Sequence, residues 1–113
     1  MTSEKFLAFL EKLLDKTKNG DIQWKRYTPN QFEHWASGTK SFYCVAASMR
    51  ITMLSSEDFE TIQFDICYDP SVPEVLLEPA SDEERQLALR LANYVYNLFP
   101  NLENSIDQFL KDF

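Results

Sequence analysis

A histidine and a cysteine are the first candidates for chemistry in this 113-residue chain. His34 is the only histidine, and Cys44 follows it by ten residues in an alternating apolar segment. Catalysis by such a pair needs an exposed thiolate of low pKa with the imidazole within hydrogen-bond reach. Nothing in the sequence orients the imidazole, so we expect His34 to lie in a loop and Cys44 in the core. No catalytic residue is predicted.

The chain has two cysteines, Cys44 and Cys67, and both lie in alternating apolar segments. Free Cys is among the most buried residue types, and disulfides are rare in cytosolic proteins. We therefore expect two free thiols, with a disulfide between neighbouring strands as the alternative. Two cysteines and one histidine without paired spacing do not form a structural zinc site.

Acidic residues cluster at Glu57, Asp58 and Glu60, and again at Asp82–Glu84. The first cluster lacks the alternating D-x-D-x-D-G pattern of a calcium loop. The second follows Ser81 in the S-x-x-E spacing of a capping box, in which serine and glutamate satisfy free amides at a helix start. We expect a solvated turn and a helix cap, and no metal or cofactor is predicted.

A change of rhythm marks the stretch "KTKNGDIQWKRY", where a helical pattern becomes alternating at Asn19-Gly20. A phosphate loop needs several glycines and a following helix whose N-terminus supplies amide donors. Here a single glycine follows a helix instead of opening one. Gly20 therefore predicts the left-handed residue that ends the helix, and no nucleotide site.

Aromatic residues gather just after this corner. Tyr27 and Trp35 lie near the basic residues Lys25, Arg26 and Lys40. Trp, Tyr and Arg dominate the energetics of protein interfaces. Tyr27 and Trp35 are therefore candidate protein-binding residues, whereas packing in the fold is the ordinary alternative for both.

The helix before Gly20 has a clear apolar face. Thr2 or Ser3 supplies the N-cap oxygen, and Lys16 and Lys18 lie near the negative end of the helix dipole. The residues predicted to face the core are Phe6, Leu7, Phe9, Leu10, Leu13, Leu14 and Thr17.

Strands are predicted after the first helix. Period two from Ile22 to Tyr27 indicates a strand, with Trp24 in the core. The segment Thr39–Ser55 is long for one strand, so we predict a hairpin turning near Ala47-Ser48, with one continuous strand as the alternative. In the segment "ETIQFDICYD" apolar and polar residues alternate, which predicts a half-buried strand with its apolar side chains inward and Gln63, Asp65 and Cys67 outward. The inward set is Ile62, Phe64, Ile66 and Tyr68. Val75–Leu77 reads as a short edge strand.

Two helices end the chain. The first starts at Ser81 and extends to about Phe99, and it is apolar around most of its circumference, including Leu89 and Tyr96. Such a helix is buried on more than one side or carries a subunit interface. The second is capped by Asn101. Its predicted inward set is Leu102, Ile106, Phe109, Leu110 and Phe113.

Together these elements predict one domain, residues 1–113, of the α+β class. A two-layer arrangement is expected, with an antiparallel sheet of three to five strands packed on helices. The order is α-β-β-β-(β)-α-α.

Charge is distributed unevenly along the chain, whose net charge is -7. Residues 1–50 contain eight basic and five acidic residues (+3), and residues 51–113 contain three and thirteen (-10). An acidic surface repels phosphates, so no nucleic-acid partner is expected. The start lacks the features of a secretory signal, and no apolar run approaches the roughly 20 residues that cross a bilayer. We therefore expect a cytoplasmic protein without a membrane partner.

The stretch "FLEKLLDKTKNGDIQW", followed by "SFYC" and "RITMLSS", resembles a group of small uncharacterised bacterial proteins. That group has an N-terminal amphipathic helix, a K-T-x-x-G-x-I-x-W corner, a β-meander and C-terminal helices. The resemblance covers the first half of the chain well and the last helices in outline. It implies the same fold and a bacterial or phage-related cytosolic origin, and it supplies no activity, cofactor or catalytic residue.

The sequence favours a non-catalytic protein-interaction module that binds a protein partner or itself. Its candidate contact residues are Tyr27, Trp35, Leu89 and Tyr96. The alternative is an acidic inhibitor or immunity-type protein that occupies a basic site on a nuclease, toxin or defence protein. The surface for that role would include Glu57, Asp58, Glu60, Asp65 and Asp69.

Overall fold

The computed structural model describes residues 1–113 as three helices and one five-stranded sheet. The elements are α1 (Ser3–Lys18), β1 (Lys25–Arg26), a 3-10 turn (Gln31–Glu33), β2 (Phe42–Ala46), β3 (Met49–Ser55), β4 (Ile62–Cys67), β5 (Val75–Leu77), α2 (Asp82–Asn97) and α3 (Leu102–Asp112). The strands pair in chain order, and every pair is antiparallel. The predicted α+β class is confirmed, with the edge strand present.

The Asn19-Gly20 pair ends α1 in the way that the sequence predicts. Gly20 has a φ of +78°, the left-handed region that glycine adopts without steric cost. Its amide donates to the Thr17 carbonyl at 3.1 Å, and the Asp21 amide donates to the Lys16 carbonyl at 2.9 Å. These two bonds form a Schellman motif, which satisfies carbonyls that the helix would leave free.

The hairpin between β2 and β3 turns at Ala47-Ser48, so the predicted turn is confirmed and the single long strand is wrong. Ala46 pairs with Met49, which leaves a two-residue loop. Both loop residues have positive φ, 51° for Ala47 and 62° for Ser48. This is the conformation of a type I′ turn, whose twist matches that of the flanking strands.

The hydrophobic core lies between one face of the sheet and the helices α1 and α2. These two helices point the same way, because Ser3 bonds Glu84 at their starts and the Lys18 ammonium lies over the Tyr94 ring near their ends. The core residues are Phe6, Leu10, Leu13, Leu14, Trp24, Phe42, Cys44, Ile51, Met53, Ile62, Phe64, Ile66, Leu87, Ala88, Leu91, Ala92 and Val95. Burial of this set explains the apolar faces that the sequence shows.

The strand predicted from Ile22 to Tyr27 is shorter in the structure, where only Lys25–Arg26 joins the sheet. Trp24 is buried, as predicted, and its Nε1 donates to Thr17 Oγ1 at 2.9 Å. The Trp24 side chain thus ties the chain to α1 just before the ladder of β1 begins.

The far face of the sheet is partly covered, which adds to the two predicted layers. Leu54 is fully buried but lies outside the core cluster, and alternation places it on the face opposite Met53. No helix packs on that face, since α1 and α2 occupy the other one.

The connection from β1 to β2 covers the far face instead, because Tyr27 and Glu33 on that connection lie close to Asp65, which alternation places on the far face. Besides burial, the Asp65 carboxylate contributes to the raised pKa of Tyr27, and the Glu33 carboxylate contributes to the raised pKa of Asp65. The Ser37 amide also donates to the Ser55 carbonyl at 2.8 Å and joins the connection to the end of β3.

Two details of the prediction for β4 differ in the structure. Ile62, Phe64 and Ile66 face the core as expected, but Tyr68 follows the end of β4 and is exposed. Asp65, expected to face solvent, is buried on the covered far face.

The expectation that the apolar side of α3 faces the core is wrong. No residue of α3 is buried. The helix projects from the body, which is consistent with extents of 52 × 30 × 26 Å and a radius of gyration of 14.6 Å. A compact chain of this length has a radius of gyration of about 13 Å.

Candidate interaction surface

The start of α3 is held firmly against the body. The Asn101 side-chain oxygen caps the helix by accepting from the Asn104 amide at 2.8 Å, as predicted. Its Nδ2 donates to the Phe99 carbonyl at 3.2 Å, and the Arg26 guanidinium donates to the Pro100 carbonyl at 2.7 Å. These bonds set the direction in which the helix leaves α2.

One side of α3 is a continuous row of large apolar side chains, which we call the α3 stripe. It consists of Leu102, Ile106, Phe109, Leu110 and Phe113, which are between 48% and 94% exposed. The rings of Phe109 and Phe113 stack with centroids 5.1 Å apart. Apolar side chains that recur every three or four residues share one face of a helix. The stripe is thus a single exposed apolar patch, the kind of surface that marks interaction sites.

The other side of α3 is acidic. It carries Glu103, Asp107 and Asp112, with Lys111 as the only basic residue of the helix. Helices that lie on membranes carry Lys and Arg on the polar face, because membrane surfaces are anionic. The polar side of α3 therefore lacks the basic residues that are typical of a helix on an anionic membrane surface.

The aromatic candidates Tyr27 and Trp35 are both half-buried, on the connection that covers the far face. The Tyr27 hydroxyl donates to Glu33 Oε1 at 2.8 Å. Burial and this bond to a carboxylate raise the pKa of Tyr27 to about 12. Glu33 also accepts from the Asn30 amide at 3.0 Å, which fixes the 3-10 turn against Tyr27. The Tyr27 hydroxyl thus has a partner within the chain.

The candidates on α2 have different surroundings. Tyr96 is half-buried, and its ring packs nearly perpendicular to that of Phe59 with centroids 5.9 Å apart, while the Lys40 ammonium lies 5.2 Å from its centroid. Leu89 is 40% exposed and lines a shallow cavity of about 460 Å³ beside Ile62. The wide apolar surface of α2 therefore packs mostly within the chain, and Leu89 and the C-cap residue Leu98 are the parts of it that stay open.

The two thiols are free, as expected, and the alternative of a disulfide is wrong. Cys44 is in the core, and burial raises its pKa to about 12. A thiol in this state is not an activated nucleophile. His34 is exposed on the connection between β1 and β2.

The acidic candidates do not form one surface. Glu57, Asp58 and Glu60 are exposed in the turn between β3 and β4, whereas Asp65 is buried on the far face. Burial is the main cause that raises the pKa of Asp65, and the nearby carboxylates of Glu74 and Glu33 add to it.

The fold contains neither a metal-ligating cluster nor a membrane-spanning helix. No group of three or more His, Cys, Asp or Glu side chains is placed to hold a metal ion. None of the three helices has the length and apolar character needed to cross a bilayer.

Comparison with known proteins gives no relative. No protein-family model, no curated protein and no solved structure matches this chain. Any proposal for the function of this chain therefore depends on the geometry of its own surface.

Proposed function

We propose that this protein is a non-catalytic protein-interaction module whose contact surface is the α3 stripe. The observation that carries the proposal is the exposure of five large apolar side chains on one helix face. Monomeric soluble proteins seldom leave such a patch without a use.

The local design of α3 supports this reading. Its capping bonds from Asn101 and the bond from Arg26 to Pro100 hold the helix in place without burying its apolar side. An isolated helix of this length is marginal in water, because helix nucleation is costly. A partner that covers the stripe would add the packing that the monomer does not provide. Amphipathic helices docked on apolar surfaces are a common mode of protein recognition.

The proposal shifts the main contact away from the four residues predicted from sequence. Tyr27 and Tyr96 engage Glu33, Phe59 and Lys40 within the chain. Trp35 and Leu89 stay candidate secondary contacts.

Capture from an extract of the native host tests the function. The immobilised chain should retain a specific protein set that Phe109→Glu loses, because a charge on the stripe would be costly to bury. Gln108→Glu is the matched control, since it adds the same charge to the same exposed helix on the side opposite the stripe. Identical capture by all three proteins would contradict a role for the stripe.

The acidic-inhibitor reading stays an alternative proposal. The burial of Asp65 removes one of its five residues from the surface, while Glu57, Asp58 and Glu60 in the β3–β4 turn and Asp69 after β4 stay exposed. Binding of this kind should weaken steeply with salt, because it depends on exposed charges. A salt-insensitive complex would exclude it.

A further inference from the structure

We infer that the partner of the α3 stripe is a second copy of this chain, bound through an antiparallel pair of α3 helices. This inference rests on the proposed function and names the partner that covers the α3 stripe. The spacing, exposed area and charge of the stripe all fit a second copy.

The spacing is self-complementary. Leu102 and Phe113 lie at equal distances in sequence on either side of a point between residues 107 and 108, and Ile106 and Phe109 form a second, closer pair about the same point. A two-fold axis through that point places Leu102 opposite Phe113 of the second copy and Ile106 opposite Phe109 of the second copy. Leu102 and Phe109 correspond to d positions of a heptad, and Ile106 and Phe113 correspond to a positions. Each d position of one copy then meets an a position of the other, as in an antiparallel pair of interdigitating helices. Isologous contacts of this kind are the commonest in homodimers.

The exposed area is close to what a dimer needs. Phe109 and Phe113 supply about half of the apolar area of the stripe, since an aromatic side chain can bury about 150–250 Å², and with the three exposed aliphatic side chains one copy can bury at most roughly 600 Å² there. A standard interface buries about 800 Å² per partner. The stripe with its immediate flanks thus reaches the lower range of stable interfaces.

Charge favours the antiparallel arrangement. Glu103 would lie beside Leu110 of the second copy and Asp112 beside Ser105, so no two carboxylates flank the seam face to face. The N-terminus of each α3 would meet the C-terminus of the other, which lets opposite ends of the helix dipoles approach. The two bodies, each part of a chain of net charge -7, would lie at opposite ends of the helix pair. A parallel pair would bring them side by side and increase their repulsion.

Sedimentation equilibrium of the purified chain tests the inference. Across about 1 μM to about 1 mM, wild type and Gln108→Glu should convert from monomer to dimer, whereas Phe109→Glu should stay monomeric. Phe109 is 59% exposed in the single chain, so the substitution leaves the core intact, and circular dichroism checks this. A wild type that is monomeric throughout overturns the inference, and so does a dimer that Phe109→Glu does not dissociate.

Disulfide trapping tests the direction of the helices in a Cys67→Ser background. Leu102→Cys combined with Phe113→Cys should form a covalent dimer on mild oxidation, and Leu102→Cys alone should not. A covalent dimer formed by Leu102→Cys alone would indicate a parallel pair and overturn the antiparallel arrangement.

The two proposals fail in different ways. A monomeric chain that still captures a host protein through the stripe refutes the second copy and leaves the proposed function standing. A monomeric chain whose capture does not depend on Phe109 refutes both.

Discussion

Ser3 and Glu84 join the starts of the two core helices, with Ser3 Oγ donating to Glu84 Oε2 at 2.9 Å across 81 residues of sequence. The other oxygen of the same carboxylate accepts from the amides of Ala80 and Ser81, each at 2.9 Å. Ser81 in turn accepts from the Glu84 amide at 3.1 Å, which completes the predicted capping box. One carboxylate thus caps α2 and fixes it to α1.

This arrangement predicts a loss of stability in acid. The amides of Ser81 and Ala80 lower the pKa of Glu84 below its ordinary value. A carboxyl with a lower pKa in the folded state binds fewer protons there than in the unfolded state, so stability falls as the pH falls toward that lower pKa. Urea unfolding at about pH 7 and about pH 4 should show the loss. Glu84→Gln should be less stable at the higher pH and lose less on acidification. An unchanged pH response would contradict this role.

Asp65 is expected to act in the opposite direction. Its pKa is raised, chiefly by burial, so its folded form binds more protons than its unfolded form and the group costs stability as the pH rises. Asp65→Asn should therefore raise the urea midpoint at neutral pH while the side chain still accepts from Gln63 Nε2. Asp69→Asn is the control, because that exposed carboxyl has a lowered pKa. If Asp65→Asn destabilises the protein at neutral pH, the carboxylate is better satisfied than burial implies.

The two glycines give a matched pair of backbone tests. Gly20 has a φ of +78° and no atom within 4 Å of a would-be Cβ, so its requirement is conformational and not steric. Gly20→Ala should cost about 0.5–1 kcal/mol, because a left-handed alanine is penalised by about 1–2 kcal/mol and its smaller freedom in the unfolded chain returns about 0.5–1 kcal/mol of that. Gly38→Ala would meet only Pro29 Cδ at an ordinary 3.7 Å and should be near neutral. Chemical denaturation of both variants decides this, and equal effects would refute the distinction.

Local signals in the sequence predicted the helix ends well. The Asn-Gly pair, the S-x-x-E box and Asn101 each act through bonds within a few residues, so the sequence nearby contains all that they need. The core faces of α1 and β4 were predictable for the same reason, because periodicity reports which residues share a face.

Features that depend on distant segments could not be predicted this way. Asp65 is buried because the connection between β1 and β2 folds over the far face, which no local pattern reveals. The spacing of Leu102, Ile106 and Phe109 shows that α3 is amphipathic but not what covers its apolar side. The same spacing suits a helix that packs on the core and a helix that forms an interface. Only the position of α3 in the fold, where it projects from the body after Pro100, distinguishes the two cases.

The β2–β3 turn offers the last prediction. Ala47 and Ser48 both adopt positive φ, although Asn-Gly is the pair that favours a type I′ turn. A non-glycine residue in this region costs about 1–2 kcal/mol, and the flexibility of glycine in the unfolded chain returns about 0.5–1 kcal/mol of that. Ser48→Gly should therefore stabilise the protein by about 0.5–1 kcal/mol, and Ala47→Asn with it should add to the gain. Ser48→Ala keeps the strained conformation and serves as the control, which should not gain stability. A urea midpoint of Ser48→Gly at or below that of wild type would contradict the conclusion that the positive φ of Ser48 costs stability.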